Sequence, residues 1–203
     1  MIAQIIPPLL AHLQITFLGV LLGCTIGIPL GSALVRTKKL SRFVFVLVDI
    51  IQTVPTLAMF TFLMLVFGLN NNTVIATIFL YSLFPIVRNT YTGIKSVDPG
   101  IIRAGQGIGM TSLQLYRIVQ LPIAMPLILT GVRLAIIAAL GITTTGVLIG
   151  AGGLGMLVWR GIHTRNTAMM LSGAIPVSLL AVFFDLMLSR LEKSWAKKYN
   201  KTK

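Results

Sequence analysis

Hydroxyl and amide side chains inside long apolar segments are the residues of this sequence that could contact a solute along a polar path. Three consecutive hydroxyls occur at Thr143, Thr144 and Thr145, and an amide occurs at Gln52. Because successive helical residues point about 100° apart, the three threonines cannot all face one pore. At least one of them is expected to hydrogen-bond to its own helix. We predict that Gln52 and either Thr143 or Thr144 line a solute pathway.

The usual signatures of catalysis and of nucleotide or metal binding are missing from the sequence. No G-x-x-x-x-G-K-[ST] pattern occurs, so we expect no ATP site of the P-loop type. Gly150, Gly152 and Gly155 fit G-x-G-x-x-G, but they follow an apolar segment instead of a strand, which predicts a close-packed turn. His12 and His163 have no Cys, Asp or Glu at metal-ligand spacing. We therefore expect no catalytic residue, metal or cofactor on this chain.

Charged residues within the apolar segments are few. Asp49, Asp185 and Arg133 lie toward the same predicted side of a membrane, which favours a structural set of ion pairs. No charge is placed at the middle of an apolar segment. A proton- or ion-coupled carrier normally needs one there, so a small secondary carrier is the less favoured interpretation.

The composition shows which elements must position these side chains. The 203 residues are 56% hydrophobic and 10% charged, with a mean hydropathy of +0.93, whereas soluble domains contain about 25% charged residues. Residues 50–87, 134–159 and 166–184 contain no Asp, Glu, Lys or Arg. Each run could supply the roughly 20 apolar residues that a membrane helix needs. These features exclude an ordinary soluble enzyme and, despite a formal net charge of +13, disfavour nucleic-acid binding.

The sequence predicts an all-α, polytopic membrane protein with one transmembrane domain over residues 1–203. The five expected spans are about 13–35, 43–69, 73–91, 126–149 and 168–188. Four glycines recur every fourth residue in the first span, which predicts a close helix–helix contact; they are Gly19, Gly23, Gly27 and Gly31.

The distribution of basic residues predicts the orientation. Fourteen of the 17 lie in three segments: four at 36–42, four at 88–117 and six from 190 to the C-terminus. Cytoplasmic loops carry the excess of Lys and Arg. The N-terminus is therefore expected outside and the C-terminus in the cytoplasm. Since the N-terminus lacks a basic n-region and no A-x-A-like site follows a short apolar stretch, we expect the first span to be retained.

The longest segment predicted on the cytoplasmic side, residues 95–125, has the signals of two short helices. Asp98 and Pro99 are a helix start, and Gly107 and Gly109 are expected to end that helix. A second short helix is predicted through about residue 119. It begins at Thr111, which forms a capping-box pattern with Gln114, and we expect Leu121–Pro122 to end it before a new span opens at Pro126.

The stretch from Arg103 to Pro122 resembles the EAA motif of ATP-binding-cassette (ABC) importer permeases, in which E-A-A and a later glycine precede I-x-L-P. The matching positions are Ala104, Gly105, Gly109, Leu121 and Pro122, with Val119 in the Ile place. Arg103 stands where the family usually has Glu. The resemblance implies a type I importer fold whose coupling helix docks in a cleft of a separate ATPase subunit.

Further stretches resemble the subgroup that imports glycine betaine, carnitine and choline; they are residues 52–58, 149–155 and 172–176. The resemblance implies that the chain itself is not an enzyme. It implies a second permease, identical or paralogous, two ATPases that bind ATP and Mg, and a separate extracellular solute-binding protein. It also implies the plasma membrane of a prokaryote. Another small solute, such as methionine or ergothioneine, remains an alternative, as does a non-transporting scaffold.

Overall fold

The computed structural model describes residues 2–199, and the basic residues Lys201 and Lys203 of the predicted tail lie outside them. The described chain is built from helices: α1 (Ile2–Leu34), α2 (Lys38–Thr53), α3 (Thr56–Phe67), α4 (Asn71–Lys95), α5 (Pro99–Gly107), α6 (Ser112–Gln114), a π-helix (Leu115–Gln120), α7 (Leu121–Thr145), a 3₁₀ helix (Gly146–Ile149), α8 (Gly155–His163) and α9 (Thr167–Tyr199).

Helix α4 is the centre of the packing and contacts α1, α2, α3 and α7. Its side chains Val74, Ile78, Ile86 and Val87 are fully buried. The helix begins where the Asn70 side chain accepts a hydrogen bond from the backbone N–H of Asn72 at 2.8 Å, which satisfies one free N–H group of the first turn. The core of the molecule therefore lies along α4.

The glycine stripe of α1 lies against α4, as the four-residue spacing predicted. A Cβ added at Gly19 would lie 2.5 Å from Cγ2 of Ile78, and one at Gly23 would lie 2.6 Å from Cβ of Ser82. At Gly31 it would lie 2.8 Å from the carbonyl oxygen of Val87. Glycine is therefore required because the two backbones approach more closely than a methyl group allows.

Residues 43–69, expected to form a single second span, are two helices. Helices α2 and α3 meet at an angle of 101° around Val54 and Pro55. Proline has no N–H and restrains the preceding residue to an extended conformation, and Val54 has φ −66° and ψ 127°. The Tyr81 hydroxyl of α4 donates a hydrogen bond to the Val54 carbonyl. The Val54 carbonyl at the bend is therefore hydrogen-bonded by a residue of α4, outside the pair α2–α3.

Four helices of the described chain are long and apolar enough to cross a membrane, and the bent pair α2–α3 makes five if it crosses as one broken span. The four are Gln4–Leu34, Asn71–Lys95, Ser112–Ile149 and Thr167–Lys198. The first and last helices extend well beyond the ranges 13–35 and 168–188 expected from the hydrophobic runs.

The expectation that Leu121–Pro122 ends a short helix was wrong. Helix α6, the π-helix and α7 form one continuous helix, and Pro122 lies in the first turn of α7. Inside a continuous helix, a proline leaves a carbonyl of the preceding turn without its usual N–H partner. The preceding π-helical turns shift the hydrogen-bond register at the same point. The helix can therefore pass through a proline that sequence reasoning took as its end.

The stretch at 149–155, expected to be a close-packed turn, is followed by a short helix that the sequence did not reveal. Gly150 and Gly153 have φ values of +75° and +113°, a backbone region that favours glycine. The Gly152 N–H donates to the side chain of Asn71 at 2.9 Å, and a Cβ at Gly155 would collide with the carbonyl oxygen of Thr144. The glycines therefore serve turn geometry and packing.

Candidate functional site

The segment 98–120 forms a helix–turn–helix between α4 and α7. Asp98 accepts a hydrogen bond from the Gly100 N–H at 2.5 Å, which confirms the predicted start of α5. The capping box at the next helix is also confirmed: the Gln114 N–H donates to the Thr111 hydroxyl at 3.3 Å, and the Thr111 N–H donates to Oε1 of Gln114 at 2.8 Å. At each helix start, the capping hydrogen bonds join residues only two or three positions apart in the sequence, so both starts are determined locally.

Gly105 allows α5 to pack closely against the segment that follows it. It is buried, and a Cβ there would lie 2.7 Å from Cδ1 of Leu115 and 3.2 Å from Sδ of Met110. The Met110 N–H donates to the Gly105 carbonyl oxygen at 3.1 Å. The small residue at this position therefore allows the chain to fold back on itself directly after α5.

Gly109 forms the turn for a different reason. Its φ is +84°, and an added Cβ would meet no atom within 4 Å. Glycine is favoured here by the left-handed backbone, because a side chain would have room but would be strained.

The outward face of this segment is exposed and partly apolar. Arg103 and Ala104 are exposed, and Ile108 is 80% exposed. Ile108 also lies outside every candidate membrane span of the described chain. Ile101 of α5 is also exposed, at 47%, and lies outside these spans, so this segment is a candidate docking surface. Leu121 and Pro122 are half-buried in the first turn of α7, where Leu121 packs against the cluster containing Ile94 and Ala124.

The two ends of the molecule are distinguished by contacts between helices distant in sequence. The hydroxyls of Ser32 in α1 and Tyr116 in the π-helix are 3.0 Å apart, which places the C-terminal end of α1 beside the segment 98–120. At the opposite end, Asn71 and Gly152 join the start of α4 to the turn after α7.

The residues proposed for a solute pathway lie on two different elements. Gln52 is exposed near the end of α2, beside the bend, and the threonines are on α7. Thr143 is fully buried against α1, where its hydroxyl oxygen is 2.9 Å from that of Thr16. Thr144 is half-buried. Whether these residues line a pathway remains a prediction.

All three threonine hydroxyls bond back to α7, so the expectation that at least one would do so is confirmed. Thr143 donates to the Ala139 carbonyl at 2.9 Å, Thr144 to that of Leu140 at 2.8 Å, and Thr145 to that of Ile142 at 2.9 Å. Since Thr143 has only one hydrogen to donate, Thr16 is the donor in the bond between the two hydroxyls.

The expected ion-pair set is divided into two groups. Arg133 lies 3.6 Å from Asp185, as anticipated, and 3.7 Å from Glu192. Asp49 instead pairs with Arg88, whose Nε donates to Oδ1 at 3.2 Å. The Arg88 guanidinium also lies 5.1 Å from the ring centre of Phe45 and 5.3 Å from that of Phe84; both rings flank it. Sequence reasoning missed this pair because Arg88 was counted with the basic segment 88–117 and was not considered as a partner for Asp49.

The described residues contain no group of three or more His, Cys, Asp or Glu side chains that could hold a metal ion. His12, expected at the outer end of the first span, is fully buried, and a Cβ at Gly153 would lie 3.0 Å from its Nδ1. No periodicity in the sequence marked this contact, because it depends on where the turn after α7 folds.

Helices arranged around α4, with a helix–turn–helix between α4 and α7, form the fold of type I ABC importer permeases. The fold matches the MetNI methionine ABC transporter in inward-facing conformations, with a TM-score of 0.84 over 96% of this chain and 97% of that chain at 23% identity. It also matches an amino acid ABC transporter, with a TM-score of 0.70 at 22% identity over 95% of this chain and 92% of that one.

Residues 19–197 match the family described as the binding-protein-dependent transport system inner membrane component, and the chain belongs to this family. It is 48% identical to the glycine betaine/carnitine/choline transport system permease protein OpuCD of Bacillus subtilis, over 90% of this chain and 80% of that protein. It is 42% identical to the carnitine transport permease protein OpuCD of Listeria monocytogenes over 95% and 86%. The osmoprotectant import permease protein OsmW of Salmonella typhimurium is 40% identical over 89% and 86%.

Proposed function

We propose that this chain is the membrane-spanning subunit of an ATP-driven importer for a quaternary amine osmoprotectant: glycine betaine, carnitine or choline. The observation that carries the ATP-driven part is the segment 98–120, a rigidly capped helix–turn–helix with an exposed apolar residue, Ile108, outside the candidate spans. The solute class is supported by the functions of relatives that are 40–48% identical over most of the chain: glycine betaine/carnitine/choline transport, carnitine transport and osmoprotectant import.

In this proposal, residues 1–203 form one permease domain that pairs with a second permease. Bacillus subtilis proteins described as OpuCD and OpuCB of a glycine betaine/carnitine/choline system match this chain at 48% and 40% identity. The existence of two such permeases supports a paralogous partner, while an identical copy is the alternative. Two ATPase subunits bind ATP and Mg and hydrolyse the nucleotide, and an extracellular solute-binding protein delivers the solute.

Docking to the ATPase is assigned to α5 and its turn. Arg103 and Ala104 provide contacts on the exposed face, and Gly105 and Gly109 hold the shape of the helix–turn–helix. Leu121 and Pro122 carry movements of this segment into α7, because they begin the helix that continues from it without a break.

The solute pathway is assigned to polar residues near the bend of α2–α3 and on α7. Gln52 is exposed beside the bend and Thr144 is half-buried on α7. Thr143 is included because a rearrangement that separates α1 from α7 would release its hydroxyl from Thr16.

The orientation in this proposal has the N-terminus outside and the C-terminus in the cytoplasm of a prokaryote. The contact between Ser32 and Tyr116 supports it, since it gathers the basic segments around 36–42 and 95–117 at one end of the helices. An excess of basic residues is typical of the cytoplasmic end.

The proposal is tested by reconstituting the permease with its ATPase and solute-binding protein in liposomes. We expect ATP-dependent uptake of labelled glycine betaine, carnitine or choline, and none with a hydrolysis-deficient ATPase. Uptake of methionine or ergothioneine alone would overturn the solute class. Uptake driven by an ion gradient without ATP would instead establish a secondary carrier.

A further inference from the structure

We propose that Asp49, Arg88 and the rings of Phe45 and Phe84 form a transit site for zwitterionic quaternary amines in the solute pathway. The ammonium group of the solute takes the place of the Arg88 guanidinium between the rings, and the released guanidinium pairs with the carboxylate of the solute. This inference rests on the proposed function. It specifies that the permease itself favours glycine betaine and carnitine over choline, which has no carboxylate.

The ion pair between Asp49 and Arg88 is half-exposed although both residues belong to candidate membrane segments. Their side chains are 41% and 42% exposed. Charged side chains in membrane segments face the interior of the helix bundle or a water-filled cavity, because exposure to lipid tails is unfavourable. The face that carries this pair is therefore lined by water or covered by a partner.

Gln52, already assigned to the pathway, lies on the same face of α2 as the ion pair. Phe45, Asp49 and Gln52 are spaced i, i+4 and i+7, which places them within about 60° of one another around a helix. Arg88 lies seven residues before Lys95, the last residue of α4, which is roughly 10 Å along the helix axis. A solute that passes Gln52 toward the cytoplasmic end therefore meets the ion pair next.

The Arg88 guanidinium shows what kind of group the two rings accept. It lies 5.1 Å from the ring centre of Phe45 and 5.3 Å from that of Phe84, within the range of a cation–π contact. Its Nε also donates to Oδ1 of Asp49 at 3.2 Å. Tyr91 packs edge-on against Phe45, with ring centres 4.9 Å apart, and supports that ring. Aromatic rings around a cation are also the arrangement that recognises quaternary ammonium groups.

The exchange of charged partners gives the preference for a zwitterion. Choline brings one positive charge and leaves the displaced guanidinium of Arg88 without a countercharge, which is unfavourable in a membrane segment. Glycine betaine and carnitine bring both charges: their ammonium group faces Asp49, and their carboxylate accepts the parallel N–H groups of Arg88. Binding is weak for every solute, because the guanidinium must first leave the rings.

The experiment measures binding of glycine betaine and choline to the detergent-purified permease–ATPase complex by ligand-observed NMR, which detects weak binding. We expect Arg88→Gln to weaken glycine betaine and to strengthen choline, so that the ratio of the two Kd values changes roughly tenfold or more. Arg88→Lys should keep the preference for glycine betaine but reduce it, because it keeps the charge and loses the bidentate geometry.

The rings are tested in the Arg88→Gln background, where the guanidinium no longer competes for them. Phe45→Leu and Phe84→Leu should each weaken choline binding roughly two- to tenfold. Phe43→Leu is the matched control: Phe43 is 61% exposed and points about 160° away from Phe45 on α2, so choline binding should not change. The neutral carbon isostere of choline should bind much more weakly than choline.

A double variant, Asp49→Asn with Arg88→Gln, leaves no unpaired charge and serves if Arg88→Gln alone does not fold. It should bind glycine betaine and choline with similar affinity. If the ratio of Kd values stayed unchanged in Arg88→Gln or in the double variant, the ion pair would be structural only and the inference wrong. Equal binding of choline and its neutral isostere would contradict it as well.

Uptake into liposomes with the ATPase and the solute-binding protein separates this inference from the proposed function. If the unchanged complex imported none of the three quaternary amines, the proposed function itself would fail. If it imported them while no complex, unchanged or variant, bound solute in the NMR measurement, the face of Asp49 and Arg88 would be covered by the second permease, and only the transit site would be refuted.

Discussion

At the scale of the residue, two glycines of the segment 98–120 do different work although both face open space. A Cβ at Gly107 or at Gly109 would meet no atom within 4 Å, but only Gly109 has a positive φ, +84°. The two glycines therefore do not differ in steric crowding. They differ in backbone conformation. The pair forms a matched test of whether the turn itself matters for coupling.

We expect Gly109→Val to impair ATPase retention or to uncouple hydrolysis from uptake, while the membrane helices still insert. The left-handed backbone costs a residue with a side chain about 1–2 kcal/mol, and a β-branched residue more. Gly107→Ala should be neutral or slightly stabilising, because alanine favours a helix. Uptake, ATP hydrolysis and ATPase retention are measured for both variants. Unchanged uptake and retention in Gly109→Val would contradict the role of the turn.

A second prediction at this scale concerns the pathway. In a background where Cys24 is replaced by Ser, single cysteines at Gln52 and Thr144 should react with small thiol reagents in at least one transport state, because Gln52 is exposed and Thr144 half-buried. A cysteine at Thr16, which is fully buried against Thr143, is the protected control. If cysteines at Gln52, Thr143 and Thr144 stayed unreactive with and without ATP, none of them would line the path.

At the scale of the element, the contact between α1 and α4 is set by how closely their backbones approach. The clearances at Gly19, Gly23 and Gly31 are all shorter than a methyl group needs. Membrane helices gain little from the hydrophobic effect against each other, so close packing of this kind supplies much of their association.

We expect Gly19→Ala to destabilise the protein by about 1–3 kcal/mol, because the new methyl group would be forced against Ile78. Gly141→Ala is the control, since Gly141 is also helical and its added Cβ would meet nothing within 4 Å. That variant should be neutral or more stable. Unfolding midpoints in detergent are compared. Equal midpoints for the two variants would show that α1 shifts without cost.

At the scale of the whole molecule, the basic residues and the contacts between distant helices together show which segments lie at each end. The basic segments gather beside α5, and the turn after α7 packs on the start of α4 at the other end. Orientation in the membrane is then a single choice between two directions, and the positive-inside rule favours α5 in the cytoplasm.

This orientation is tested with single cysteines at Lys38 and Asn72 in the background without Cys24. Both positions are exposed and lie on opposite sides in the proposed topology. Asn72 is chosen because Asn71 holds the turn at Gly152. In intact cells an impermeant thiol reagent should label position 72 and spare position 38 until the membrane is opened. The reverse pattern would overturn the orientation.

Selectivity is also a property of the whole assembly. Quaternary ammonium groups are typically bound in cages of aromatic rings, but none of the residues assigned to the pathway in the proposed function, Gln52, Thr143 and Thr144, is aromatic, and the rings beside Arg88 already hold its guanidinium. We expect the permease–ATPase complex to bind glycine betaine, carnitine and choline weakly without the solute-binding protein. Calorimetry on the purified complex checks this. Micromolar or tighter binding with discrimination among the three would place the selective site in the permease.

Several features of this protein could be predicted from sequence because their causes are local. Long charge-free runs indicate a helical membrane protein, since the membrane requires backbone groups to be satisfied within each helix. Asp98 and Thr111 start helices through bonds to residues two and three positions away. The spacing of Gly19, Gly23, Gly27 and Gly31 already indicated a close helix contact, and the residues from Arg103 to Pro122 indicated the family.

Tertiary structure decided what depends on helix faces meeting across long stretches of chain. Asp49 pairs with Arg88 because α2 lies against α4, and Thr143 is buried because its face of α7 meets Thr16 of α1. The Val54 carbonyl, at the bend between α2 and α3, accepts a hydrogen bond from the hydroxyl of Tyr81 in α4. Pro122 fails to end its helix because the π-helical turns before it shift the hydrogen-bond register. Periodicity shows which residues share a face, but only packing determines which face they meet.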